Sequence, residues 1–173
     1  MTEIRWHARA GQGAKTAAQL LAEALLRAGK SVQAFPEYGP ERRGAPVRAY
    51  TRVSDRPIRR HDSITEPDVV VVLEPSLAPE ASDGLGADGL LLLNAEEAPE
   101  GLNTARVVCI PASALAASTG SSFANVVMVG AVAAALGEPS LDELQAAATD
   151  LLGAKTSAEA VRAALAEGYT WRS

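Results

Sequence analysis

Gly11-Gln12-Gly13 runs directly into Ala14, Lys15 and Thr16, and this is where the chain could hold an anion. Glycine has no side chain, so neighbouring backbone amides can come close to a phosphate. If a helix starts here, its first N–H groups are unpaired and its dipole favours negative charge. Lys15 and Thr16 would add a cation and a hydroxyl in the first turn. Two phosphate-binding patterns fail on the letters. A Walker A loop needs glycine immediately before its lysine and another five residues earlier; this chain has Ala14 and Arg9 there. The dinucleotide fingerprint G-x-G-x-x-G meets Gly11 and Gly13, but Thr16 takes its third position. Its acidic ribose ligand would have to be Glu37, which follows Pro36 in a turn-rich stretch. A tight strand-to-helix turn with no ligand is the plain reading of the same glycines.

Residues 36–46 are the second unusual stretch. Three prolines and two glycines stiffen the path, and Arg42 and Arg43 offer forked donors suited to phosphate or carboxylate. Other reactive residue types carry less. His7 and His61 are too isolated to form a metal pair, and for His7, at a strand end beside the glycine loop, a structural role outweighs a ligand contact. Cys109 sits in Val107-Val108-Cys109-Ile110 and reads as an inert core thiol. Residues 118–122 read as turn and capping residues, and Asn125 as a helix cap or an interface residue.

The elements that must position these residues follow from periodicity. Residues 3–8 alternate as a strand, with Ile4 and Trp6 on one face. Residues 14–28 form an amphipathic helix through Ala18, Leu21, Ala22, Leu25 and Leu26, stopped by Gly29. Strands are expected at 31–35 and 47–53. The continuous run Val69 to Leu73 predicts a central strand buried on both faces, and 90–93 and 106–110 repeat it. Helices are expected over 125–136, from a Ser140 cap to 152, and from a Ser157 cap to 167. Strands alternating with helices predict one three-layer α/β/α Rossmann-like domain over residues 1–173 with a mostly parallel sheet. The hairpin-like section around Arg48 to Val53 predicts that the sheet is mixed.

Composition narrows the function classes. One cysteine in 173 residues excludes an internal disulfide and a cysteine-held iron–sulfur cluster. Residues 1–61 carry 12 Lys or Arg against 5 Asp or Glu, whereas the remainder carries 4 against 16. The basic part therefore suits a phosphate-bearing cofactor or an acidic partner. Few aromatics and an acidic total argue against nucleic acid. The first residues lack a signal-peptide layout and no apolar run is long enough for a membrane span, so a cytoplasmic chain is expected.

Two segments carry a resemblance: Arg5-Trp6-His7-Ala8-Arg9-Ala10-Gly11-Gln12-Gly13-Ala14-Lys15-Thr16-Ala17-Ala18, and Gln33 through Arg48 with Tyr38-Gly39-Pro40-Glu41-Arg42-Arg43-Gly44-Ala45-Pro46. Pro57-Ile58, Glu66-Pro67-Asp68-Val69-Val70-Val71 and Asn125-Val126-Val127-Met128-Val129-Gly130-Ala131 continue it in order. The chain resembles the gamma subunits of 2-oxoacid:ferredoxin oxidoreductases, and the segment 41–46 is more similar to the pyruvate and branched-chain members. The resemblance implies a subunit of a CoA-acylating enzyme that is not catalytic alone. Thiamine diphosphate, Mg2+ and iron–sulfur clusters would sit on thiamine-binding and ferredoxin-like partner subunits, with ferredoxin as electron acceptor. It also implies a shared coenzyme A site at Gly11, Gln12, Gly13, Lys15 and Thr16, with Arg42 and Arg43 as neighbours. Ala8 and Ala10 stand where the family often has glycine. A free-standing NAD-binding oxidoreductase and a purely structural subunit are the alternatives.

Overall fold

A computed structural model describes residues 1–37, 44–102, 106–152 and 157–171. Six strands form one sheet in the order β2-β3-β1-β4-β5-β6. They are β1 Thr2–Arg9, β2 Ser31–Glu37, β3 Pro46–Ser54, β4 Val69–Val72, β5 Leu90–Asn94 and β6 Val107–Ile110. β1, β4, β5 and β6 run parallel, whereas β3 is antiparallel to both β1 and β2, so the sheet is mixed as expected. Among the described residues no helix is long and apolar enough to cross a membrane.

Among the described residues six α-helices accompany the sheet: α1 Ala14–Arg27, α2 Ala78–Ala81, α3 Ala112–Ser118, α4 Ala124–Leu136, α5 Leu141–Leu152 and α6 Ala158–Thr170. α1 ends in a Schellman arrangement: Gly29 N donates to Leu26 O and Lys30 N to Leu25 O, both at 3.0 Å. α5 begins with a reciprocal capping box. Ser140 Oγ accepts from Glu143 N at 3.3 Å, and the Glu143 carboxylate accepts from Ser140 N at 2.8 Å. Ser157 Oγ caps α6 by accepting from Ala160 N. Two short helices, α2 and α3, have no strong periodic signal in the sequence.

The layers on the two sides of the sheet are unequal. One face meets α1, α3, α4, α5 and α6, with Ile4, Trp6, Val71 and Leu92 interleaved among Leu20, Leu21, Leu25, Met128, Val132, Leu144 and Leu165. Complete burial of each such side chain stabilises by about 1.5–3 kcal/mol before entropy is charged. α4 is buried on almost every side because it packs between the sheet, α1, α3 and α6. A Cβ added at Gly168 would lie 1.8 Å from Val127 O, so the backbones of α4 and α6 meet there without a side chain between them.

The other face is covered by loops, α2 and a 3-10 turn at Pro75–Leu77. Its β4–β5 half is apolar, with Val70, Val72, Leu91 and Leu93 under Leu77, Ala78 and Ala81. Its β1–β3 half holds charge. The alternation in residues 3–8 reads as polar positions facing solvent, yet Arg5 is 6% and His7 4% exposed. Arg5 Nε donates to His7 Nε2 at 3.0 Å. Its two terminal nitrogens donate to Ile64 O and Thr65 O at 3.3 and 3.2 Å, to Ala81 O at 3.0 Å, and to Asp83 O. Arg52, with no exposed surface, pairs with Glu3 at 2.6 Å and donates to Asp62 O at 2.8 Å. The loop between β3 and β4 is thus held by two guanidinium groups.

Candidate functional site

β1 connects through α1 to β2 on one side of the sheet, while β4, β5 and β6 extend it on the other. The crevice beyond the carboxyl ends of β1 and β4 is therefore a topological switch point, where open α/β sheets bind ligands. Two connections meet there. Residues 10–13 leave β1, and Leu73-Glu74-Pro75-Ser76 leaves β4.

Gly13 is the N-cap of α1 with φ 82°, in the left-handed region, and no side chain caps the helix. Its carbonyl accepts the first helical bond, from Ala17 N at 2.9 Å. The amides of the first turn, at Ala14, Lys15 and Thr16, thus open onto the crevice end of the sheet. Asn125, in the first turn of α4, donates from Nδ2 to Gly13 O at 3.2 Å. A Cβ on Gly13 would sit 2.6 Å from that nitrogen. The N-termini of α1 and α4 consequently converge on the glycine loop, and both dipoles present positive potential to it. Just ahead of α4, Ser121 Oγ accepts from Phe123 N at 3.1 Å, which gives residues 118–122 the turn role expected of them.

Gln12 is tied inward. Its Oε1 accepts from Arg9 N at 2.7 Å, and its Nε2 donates to Glu74 Oε2 at 3.1 Å. Arg9 reaches across the same mouth, donating to Gly44 O and to Ser76 Oγ, each at 3.1 Å. Ser76 Oγ in turn donates to Glu74 Oε1 at 3.2 Å. Ala10 N also donates to Ala45 O at 3.0 Å, so the start of β3 is drawn against the loop.

The structure brings Gly11, Gln12, Gly13, Lys15 and Thr16 together at one strand-to-helix turn, with Lys15 exposed. Arg42 and Arg43 lie outside the described residues. Arg9, Glu74 and Ser76 were missed by sequence reasoning. Glu74 had one usable signal: it stands just past the carboxyl end of the most hydrophobic strand. Asn125 is resolved as a contact to Gly13 as well as a first-turn residue. Glu37, which an NAD ribose would need, is occupied: Tyr50 Oη donates to it and Arg48 stands 4.0 Å away. Burial and this bond push the Tyr50 hydroxyl above its ordinary pKa.

Other reactive groups lie off the site. His7 points to the opposite face from α1, and burial followed by the charges of Arg5 and Arg48 lowers its pKa to about 3. His61 is exposed near Gln33. Cys109 is only partly buried, because β6 is an edge strand; burial, with Glu97 next, raises its pKa, so the thiol stays protonated at neutral pH.

Comparison with known proteins places this architecture. Residues 3–171 match the family model described as pyruvate ferredoxin/flavodoxin oxidoreductase. The common gamma subunit of the pyruvate/ketoisovalerate oxidoreductases of Pyrococcus abyssi is 42% identical over 173 residues, covering 95% of this chain and 94% of that one. The crystal structure of pyruvate oxidoreductase subunit PORC from Thermotoga maritima superposes with a TM-score of 0.85 at 38% identity, covering 97% of this chain and 94% of that chain. The fold recurs, at 21% identity and a TM-score of 0.80, in a 2-oxoglutarate:ferredoxin oxidoreductase from Magnetococcus marinus with 2-oxoglutarate, coenzyme A and succinyl-CoA bound. There it corresponds to 30% of a longer chain. The chain described here belongs to the pyruvate ferredoxin/flavodoxin oxidoreductase family, as a gamma-type subunit of a multi-subunit enzyme.

Proposed function

We propose that this chain, as one domain over residues 1–173, supplies the phosphate-holding part of a coenzyme A site in a cytoplasmic 2-oxoacid:ferredoxin oxidoreductase. Thiamine diphosphate, Mg2+ and the iron–sulfur clusters belong in this reading to thiamine-binding and ferredoxin-like partner subunits, and ferredoxin takes the electrons. The substrate is pyruvate or a branched-chain 2-oxoacid. The single observation behind the coenzyme assignment is the convergence of the N-termini of α1 and α4 on Gly13 at the switch point. A polyanionic cofactor fits that chemistry. It needs several amides close together, a nearby cation and no side chain in the way, and residues 11–16 provide them with Lys15 exposed in the first turn. The bound coenzyme A of the Magnetococcus protein agrees with this choice of ligand.

Lys15→Ala is the direct test, since the side chain is exposed and its loss leaves the packing of α1 intact. One charge-assisted hydrogen bond contributes roughly 1.5–3 kcal/mol. Coenzyme A affinity of the assembled complex should therefore fall by about tenfold or more while assembly is unchanged. Parental affinity in Lys15→Ala would mean that the glycine loop is only a turn. Gly13→Val is a poor probe, because a Cβ there meets Asn125 and the backbone φ of 82° resists any side chain.

A further inference from the structure

We propose that Glu74 is a positioning residue for coenzyme binding: through Gln12 it fixes the glycine loop in the conformation that presents the amides of α1. This inference rests on the reading of the loop as the phosphate site. A carboxylate beside a site for a polyanion is otherwise out of place, since simple Coulomb repulsion should weaken binding. Its contacts account for it. Glu74 Oε2 accepts from Gln12 Nε2 at 3.1 Å, and Gln12 Oε1 accepts from the Arg9 amide at 2.7 Å. Glu74 Oε1 accepts from Ser76 Oγ at 3.2 Å, and Ser76 Oγ accepts from Arg9 Nη2 at 3.1 Å. Arg9, Gln12, Glu74 and Ser76 therefore close a ring of hydrogen bonds that joins the end of β1, the loop and the turn after β4. Gln12, with both ends of its amide engaged, acts as the strut of this ring.

Glu74 itself is anchored at both ends of its residue. Only Leu73 separates it from β4, and Leu73 N donates to His7 O of β1 at 2.8 Å. Its own carbonyl accepts from Leu77 N at 2.9 Å to start the 3-10 turn. The strut is thus fastened to the sheet rather than to a free loop. Without it, residues 10–12 lose the only side-chain bond among the described residues that ties them to the turn after β4, and the loop must be ordered when the ligand arrives. That cost appears as lost affinity.

The test opposes positioning to electrostatics by sign. In the assembled complex, calorimetric titration of coenzyme A should show about tenfold weaker binding for Glu74→Ala and for Gln12→Ala. The double variant should be no weaker than the weaker single one, because both remove the same strut. Glu74→Gln keeps the acceptor and loses the charge, so its affinity should equal or exceed the parental value. KM for the 2-oxoacid should not move with KM for coenzyme A. In the ligand-free complex, hydrogen exchange at the Arg9 amide should speed up in Glu74→Ala and Gln12→Ala but not in Glu74→Gln. Tighter binding by Glu74→Ala, or additive losses in the double variant, would overturn the proposal. Lys15→Ala, measured alongside, separates the two levels. If it keeps parental affinity, the phosphate-site reading fails; if it weakens binding while Glu74→Ala does not, only the positioning role fails.

Discussion

Replacing His7 with glutamine should make the chain more resistant to mild acid. The ring is 4% exposed and accepts a hydrogen bond from Arg5 Nε, so only its neutral form fits. Burial first, then the charges of Arg5 and Arg48, lower its pKa from 6.5 to about 3. In the unfolded chain the ring titrates near 6.5, and below that pH the unfolded state binds a proton that the folded state refuses. Stability present above about pH 6.5 is therefore lost as the pH falls toward 3. Each pH unit inside that window costs about 1.4 kcal/mol. Roughly 2 kcal/mol should disappear between about pH 7.5 and about pH 5. Glutamine offers Arg5 an acceptor oxygen but takes up no proton. Urea unfolding of the parental and His7→Gln chains at the two pH values isolates the effect, because carboxylates common to both cancel. The parental chain should lose about 2 kcal/mol more than the variant. Equal losses would refute the buried neutral pair.

Gly168→Ala should destabilise by about 1–3 kcal/mol or more, since its Cβ would press on Val127 O and force α4 from α6. Gly86→Ala, with open space around it, should stay within about 0.5 kcal/mol, and thermal melts compare the two. Arg52→Ala should cost about 3–5 kcal/mol by leaving Glu3 without its buried partner, as read from chemical denaturation. Ser140→Ala should cost about 1 kcal/mol through the lost capping box, and urea midpoints would register it.

The elements that sequence patterning captured are those whose signals are local. Ala18, Leu21, Ala22 and Leu25 repeat at helical spacing and Gly29 stops them, so the bounds of α1 were legible to within a residue. Leu26, read onto the same face, is instead exposed, and Leu20 takes a buried place. The valine run of β4 and the Ser140 and Ser157 caps were legible for the same reason. Arg5 and His7 were not, because Arg5 is buried against carbonyls 59 to 78 positions along the chain and His7 accepts its bond from Arg5. α3 is a single alanine-rich stretch between Pro111 and Thr119, too short for a period to emerge. At the candidate site, the glycine loop and Lys15 could be read from letters and spacing. Arg9 and Ser76 could not, since each is an ordinary polar residue until β1 and β4 are paired side by side, and Glu74 only by its place just past the valine run.

The two buried arginines have a consequence for how this surface tolerates change. Arg5 grips Ile64, Thr65, Ala81 and Asp83 by their main-chain oxygens, and Arg52 grips Asp62 in the same way. Gln33 Nε2 adds Arg60 O at 2.7 Å. A carbonyl is offered by every amino acid, so these bonds are indifferent to which side chains occupy the loop. They are not indifferent to its length. A single inserted or deleted residue between 54 and 69 would move the carbonyls off their donors and strand a guanidinium charge in the interior. Ile64 is buried, and the Asp62 and Asp68 carboxylates make side-chain contacts of their own. Apart from these, the loop is accordingly held by residue count more than by residue identity, and grafts onto this face should keep the number.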